Sequence, residues 1–274
     1  MKYPGDKRQW EGFDAYDFSC DGRASLVVVP RRVAGGRPWV WRTQFFGHEP
    51  QSDLALLHAG FHAAFMDLTD MLGGPEALTH MSEFHRFLTG ELGLAKKTVL
   101  SAFSRGGLDA YNWACLNPDK VACLYADAPV CDIRSWPGGK GKGIGDERCW
   151  ELCKAIYGLT EETAGAFGGN PIDNLAPLAR AGVPILHVCG GDDEAVPMPE
   201  NSDVLERRYR ALGGAITVIV KPGGRHHPHS LKDPTPIVEF ILTHAQGPRS
   251  RKRPGTRPGG EVIRENPPAG GSEG

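Results

Sequence analysis

The sequence predicts an α/β fold: a mostly parallel sheet of eight strands with helices on both faces. Three observations carry this expectation. Short runs rich in β-branched and aromatic residues alternate with longer amphipathic segments over residues 1–245, the order required by a parallel sheet wrapped in helices. Gly and Pro number 36 and 22 of 274 residues, and between those segments they supply turn chemistry. A hydrophobic content of 40%, with 31 basic against 33 acidic side chains, provides one large core and no dominant electrostatic field. That balance argues against a general nucleic-acid binder and against a small disulfide-stapled scaffold.

The elements follow in order. Ala15–Cys20 and Ser25–Pro30 form an opening antiparallel hairpin closed by Asp21-Gly22, a favoured two-residue turn. Pro38–Phe45 is the third strand, His62–Leu68 the fourth and Thr98–Phe103 the fifth. Between the last two, Leu78, Met81, Phe84, Phe87 and Leu88 recur at helical spacing behind Pro75, predicting a helix over 75–92. Helix Gly106–Leu116, strand Val121–Ala126, an irregular excursion, helix Pro171–Ala181, strand Pro184–Cys189, helix Asn201–Leu212, strand Ala215–Lys221 and helix Pro234–His244 complete the domain. Beyond it, 12 of the 29 residues in 246–274 are Gly or Pro, and only Val262 and Ile263 are large and aliphatic. Such a segment cannot offset its ordering entropy, so a disordered Gly/Pro/Arg-rich tail is expected.

Seven Cys without a C-x-x-C pair suggest neither a zinc ribbon nor a disulfide framework, and reduced thiols in the cytoplasm are expected. The charged first 17 residues lack the apolar stretch of a secretory signal. No apolar run approaches the ~18 residues of a membrane span, so no membrane partner is expected.

The chemistry begins at Thr98–Gly107, a buried strand that ends in Ala102-Phe103-Ser104-Arg105-Gly106-Gly107 and runs straight into a helix. This matches a G-x-S-x-G elbow with Ala for the first Gly. The turn is so tight that residues two before and two after the Ser must be small, and it lifts the hydroxyl to a helix N-terminus, where developing negative charge is favoured. Ser104 is therefore the candidate nucleophile. A Ser hydroxyl at its free pKa attacks poorly, so an acid and a His base are sought downstream. After strand 184–189 comes Gly190-Gly191-Asp192-Asp193-Glu194-Ala195-Val196-Pro197, whose spacing selects Asp193 over Asp192 and Glu194; Asp127 and Asp132 are further alternatives. After strand 215–221 comes Gly223-Gly224-Arg225-His226-His227-Pro228-His229. His226 is the expected base, with His227 the alternative and His229 a supporting hydrogen-bond partner. Pro228 breaks any helix, so the i, i+4 geometry of a zinc helix is absent and no metal site is expected there. His58 and His62 have that spacing but straddle Gly60, where packing roles are expected. The oxyanion donors should be the Arg105 N–H and an N–H at Gln44 or Phe45.

These motifs resemble the α/β-hydrolase superfamily over roughly Trp10–Ala245. Within it, PWVWRTQFFGHEP, AFSRGGLDAYNWACLNPDKVACLYADAPVCDIRSWPGG, GGDDEAVP and HHPHS look like bacterial serine esterases of the carbohydrate-esterase-like kind. Ala102 in the elbow and Arg225 before the His depart from the usual pattern. The resemblance implies an acyl-enzyme esterase acting on a small or carbohydrate-linked ester, without metal or organic cofactor. Peptidase, thioesterase or lactonase chemistry would use the same triad, and a catalytically inactive binding protein would keep the scaffold alone. The excursion 127–169 is the expected substrate rim, with Trp136 and the nearby Arg42 as substrate-binding candidates; Arg42, Arg105 and Arg134 suggest a polar or anionic moiety. Its PGGKGKGIG stretch lacks the P-loop pattern. No oligomeric state is implied.

Overall fold

The computed structural model describes residues 2–245 and 262–264. Ten strands form one sheet: β1 Asp6–Trp10, β2 Phe13–Cys20, β3 Arg23–Val29, β4 Trp39–Arg42, β5 His62–Met66, β6 Thr98–Phe103, β7 Val121–Asp127, β8 Ile185–Gly190, β9 Ile216–Lys221 and β10 Val262–Arg264. The spatial order is β1-β2-β3-β5-β4-β6-β7-β8-β9-β10. Strands β4 through β9 are parallel to one another, while β1, β2, β3 and β10 add antiparallel margins. Eight helices flank them: α1 Gln51–His58, α2 Pro75–Gly90, α3 Gly106–Leu116, α4 Glu147–Tyr157, α5 Glu161–Ala164, α6 Ala176–Arg180, α7 Ser202–Ala211 and α8 Thr235–Ala245.

Strand alternation decides what each face carries. On one face, Trp39, Trp41, Leu100 and Ala102 pack with Met81, Phe84, Tyr111, Leu178 and Leu205, which belong to α2, α3, α6 and α7. On the other, Val40, Val99 and Phe103 meet Leu56, Leu57, Ile237 and Ile241 of α1 and α8. Trp39 and Trp41, near the expected oxyanion segment in sequence, thus close the core.

Four expectations require correction. The sheet has ten strands rather than eight. β1 went unpredicted because its DKRQW side chains are almost all exposed, so it shows no alternation; charges suit an edge strand, where they discourage pairing with other chains. Within the expected disordered tail, Val262–Arg264 forms β10, antiparallel to β9, and Arg264 reaches Asp203 at 2.8 Å and Glu206 at 3.1 Å. The remainder of 246–274 lies outside the described residues. Finally, the excursion is not irregular throughout. Asp146 caps α4 by accepting from the Cys149 N–H at 2.7 Å, and Gly158 ends it at a φ of 65°. Leu72, Leu108, Val130, Ile133, Trp150 and Cys153 then form a separate small core beneath it. The helix expected over 171–181 contracts to a single turn at 171–173 followed by α6.

Candidate active site

Ser104 follows β6 with a φ of 50°, a left-handed conformation that costs a non-Gly residue energy unless its surroundings enforce it. They do so here. Its N–H donates to the Asp127 carbonyl, and its carbonyl accepts from Gly107 and Val130, each at 2.9 Å. A Cβ on Gly106 would lie 2.9 Å from Thr43 Oγ1 and 3.0 Å from Gln44 Cβ, which explains the small residue two positions after the Ser.

The acid and base loops are drawn together beyond β8 and β9. Gly191 N–H donates to the Lys221 carbonyl at 3.0 Å, and Asp192 N–H to that of Gly224 at 2.8 Å. The approach is close enough that a Cβ on Gly190 would sit 2.3 Å from the Arg225 carbonyl oxygen. His226 is thereby brought between two partners: its Nδ1 is 2.7 Å from Asp193 Oδ2 and its Nε2 is 2.9 Å from Ser104 Oγ. Asp193 Oδ1 accepts from the N–H groups of Ala195 and Val196 at 2.9 and 2.8 Å. The Asp193 side chain is 1% exposed and that of His226 is 15%, so the carboxylate is fixed and the imidazole open on one side. Such a relay can withdraw a hydroxyl proton and return it to a leaving group.

The alternatives are engaged elsewhere. Asp192 is exposed. Asp132 is held by the Arg134 guanidinium, with contacts between 2.7 and 3.0 Å. Asp127 Oδ1 pairs with His229 Nδ1 at 2.9 Å, while its Oδ2 accepts from Ser230 N–H at 2.7 Å and from the Tyr125 hydroxyl at 3.1 Å.

Arg42 is corrected. Its side chain is 1% exposed, ion-paired to Asp53 and stacked 3.7 Å from the Phe103 ring centroid. It alternates with Trp41, so it points to the α1 face of the sheet and cannot meet a substrate at the strand ends. The Arg134 guanidinium is likewise committed to Asp132. Trp136 sits half-buried against the small core of the excursion. His62 is buried with its Nε2 2.8 Å from the Tyr3 hydroxyl, while His58 packs against Phe13, so these two serve packing.

Thr43–Phe45 leaves the sheet early: the predicted third strand stops at Arg42, and Phe45 turns back with a φ of 55°. The backbone N–H groups of Gln44, Phe45 and Arg105 donate to no other described residue. One residue that the sequence reading overlooked holds this loop. Asp109 of α3 accepts from Gln44 Nε2 at 3.0 Å and from the Gly73 N–H at 2.9 Å. Full burial pushes its carboxyl up to about 7, against the lowering influence of those two donors. Its signal was available, since it is the only charged residue of α3. Beside the loop a cavity of about 400 Å³ is lined by Leu26, Phe45, Phe46, Phe65 and Arg105.

No protein-family profile matches this sequence, and no curated protein is significantly similar to it. Solved structures do match. A puromycin-hydrolyzing peptidase of Mycobacterium tuberculosis superposes with a TM-score of 0.65 at 12% identity, over 84% of this chain and 38% of that one. The acylaminoacyl peptidase of Pyrococcus horikoshii gives 0.62 at 12% identity, over 90% and 43%. Est1E from Butyrivibrio proteoclasticus gives 0.58 at 19% identity, over 84% and 98%. The chain has the α/β-hydrolase fold. It spans about two fifths of the length of the two peptidases and nearly all of Est1E. Among the described residues of this hydrolase-fold chain, no helix is long and apolar enough to cross a membrane, and all seven cysteines are free.

Proposed function

We propose that this chain is a serine hydrolase that cleaves a carboxylic ester, small or carbohydrate-linked, through an acyl-enzyme. The observation that carries the reading is the imidazole of His226 hydrogen-bonded at once to Ser104 Oγ and Asp193. His226 takes the hydroxyl proton as Ser104 attacks the ester carbonyl, then delivers it to the departing alcohol. Asp193 holds the tautomer and stabilises the imidazolium. The N–H groups of Arg105 and of Gln44 or Phe45 receive the oxyanion, a contribution of about 3–4 kcal/mol per donor. Water then attacks the acyl-enzyme with His226 again as base. The cavity beside the oxyanion loop, lined by Asp17, Asp67 and Arg105 as well as by three phenylalanines, leaves room for a compact polar substrate group.

A second reading is a peptidase, favoured by the names of the larger neighbours. The test is turnover of p-nitrophenyl acetate, fluorophosphonate labelling and hydrolysis of aminoacyl p-nitroanilides. Ester turnover abolished by Ser104→Ala, with the fold intact, is expected; unchanged turnover in that variant refutes the nucleophile, and preferential anilide cleavage selects the peptidase. A panel of acetyl, methyl-uronate, feruloyl and longer-chain esters then defines the acyl group, and exclusive cleavage of long chains would overturn the carbohydrate preference.

A further inference from the structure

The loop after β9 brings His226, His227 and His229 together so that one nitrogen from each lies within 4.8 Å of the others. Their ring centroids stand 4.7–4.9 Å apart and their planes are nearly perpendicular. No helical spacing announces this cluster. We propose that these three histidines form a binding site for a borderline transition-metal dication, Zn²⁺ being the reference case, and that its occupation switches the hydrolase off.

Three features point to a metal rather than to a chance meeting of rings. His226 and His229 each present Nδ1 to a buried carboxylate, Asp193 at 2.7 Å and Asp127 at 2.9 Å. That arrangement fixes the tautomer, leaves the Nε2 lone pair as the ligand and raises its basicity, as carboxylates behind metal-bound histidines do. The same two carboxylates offset the charge of an arriving dication. His227, the exposed member, has its ring centroid 4.9 Å from that of His226 and 4.7 Å from that of His229, so it can supply the third nitrogen. Its side chain is also the one free to move. A tetrahedral Zn²⁺ with bonds of about 2.0–2.1 Å requires nitrogens about 3.4 Å apart, so the three rings close on an arriving ion from separations of at most 4.8 Å. An all-imidazole set favours Zn²⁺, Cu²⁺ or Ni²⁺ over the oxygen-seeking Mg²⁺ and Ca²⁺. His48, with its ring 5.8 Å from that of His227 and 6.0 Å from that of His229, borders the open coordination position.

The consequence follows from one atom. His226 Nε2 is the acceptor for the Ser104 hydroxyl, and a lone pair given to a metal cannot take that proton. The site rests on its own geometry; its inhibitory effect rests on the hydrolase reading above.

Two measurements on the full chain test this. Micromolar Zn²⁺ should abolish p-nitrophenyl acetate turnover, EDTA should restore it, and millimolar Mg²⁺ should leave it unchanged. His227→Ala, outside the triad, should keep basal turnover while Zn²⁺ inhibition weakens by ~10–100-fold. Separately, Co²⁺ should give the visible absorption of a tetrahedral complex with wild type and with Ser104→Ala, and none with His227→Ala. A Co²⁺ complex in a chain without hydrolytic activity upholds the site and refutes the hydrolase reading. Equal Zn²⁺ inhibition of wild type and His227→Ala, or absence of the Co²⁺ complex from wild type, overturns the site.

Discussion

Two Asp–His pairs stand side by side at the carboxyl edge of the sheet, and they differ in what lies beyond the imidazole. Asp193–His226 and Asp127–His229 have nearly the same Nδ1–carboxylate distances, 2.7 and 2.9 Å. His226 is partly open and presents Nε2 to Ser104, whereas His229 is 2% exposed over a fully buried Asp127. Asp127 also collects the Ser230 N–H and the Tyr125 hydroxyl, so the second pair ties the His226 loop to the end of β7. An Asp–His pair alone therefore does not define a catalytic centre. On the proposed reading the group at Nε2 does, and the buried pair supports the loop that delivers it.

The largest effect expected from breaking this comparison is at Asp193. Asp193→Asn should lower kcat by ~10⁴-fold with the fold preserved, because the imidazole loses its tautomer and the stabilisation of its charged form. Steady-state kinetics with circular dichroism measure both. Asp127→Asn should act in the other currency: it removes an acceptor from a buried cluster, costing about 1–3 kcal/mol of stability, while kcat falls by only ~10-fold through a loosened His226 loop. Denaturant melts alongside kinetics separate the two. An Asp127→Asn variant as inactive as Asp193→Asn at unchanged stability would reverse the assignment of the two acids.

The effect of Asp109→Asn should be smaller. An amide retains one acceptor but turns a donor toward either Gln44 or Gly73, so the oxyanion loop shifts while the triad stays. A kcat reduction of about tenfold with KM little changed is expected, below the 10²–10³ of deleting a donor outright. A change confined to KM would place Asp109 outside this role.

Much of the candidate site was legible because its three members follow the carboxyl ends of β6, β8 and β9 and each carries a local signature: a small-x-Ser-x-small turn, an acid before Val-Pro, a His after paired glycines. The support was less legible. Arg42 reads as a functional cation until the alternation of β4 assigns its side chain to the α1 face. Asp127 and Asp132 cannot be told from Asp193 until the register shows that Arg134 and His229 already hold them. β1 hides because its side chains are nearly all exposed, and β10 because three residues carry no period. The lone charge of α3 was visible, but its meaning depends on Gln44 and Gly73, 65 and 36 residues away.

The smallest effect concerns pH, where buried groups outside the two pairs act in opposite directions. Desolvation lowers His62 to about 4, aided by Arg37, and lowers His187 to about 3. Each has a folded value below its unfolded 6.5, so between these limits the unfolded chain binds the proton, and stability is lost as pH falls below 6.5. Asp109 is raised from 3.8 to about 7. Over that interval the folded chain holds the extra proton, and stability is lost as pH rises. Near pH 5 the two histidines contribute two protons to the unfolded state and Asp109 contributes one to the folded state. Together these three groups leave roughly one proton, a gain of ~1.4 kcal/mol per pH unit on raising the pH. Asp109→Asn removes the opposing proton, so its urea-melt stability should climb with pH more steeply than that of wild type between pH 4.5 and 6, by ~1.4 kcal/mol per unit. Parallel slopes would mean that Asp109 is ionised throughout this range, and the oxyanion loop would then carry a buried negative charge beneath the position where the substrate's own is to form.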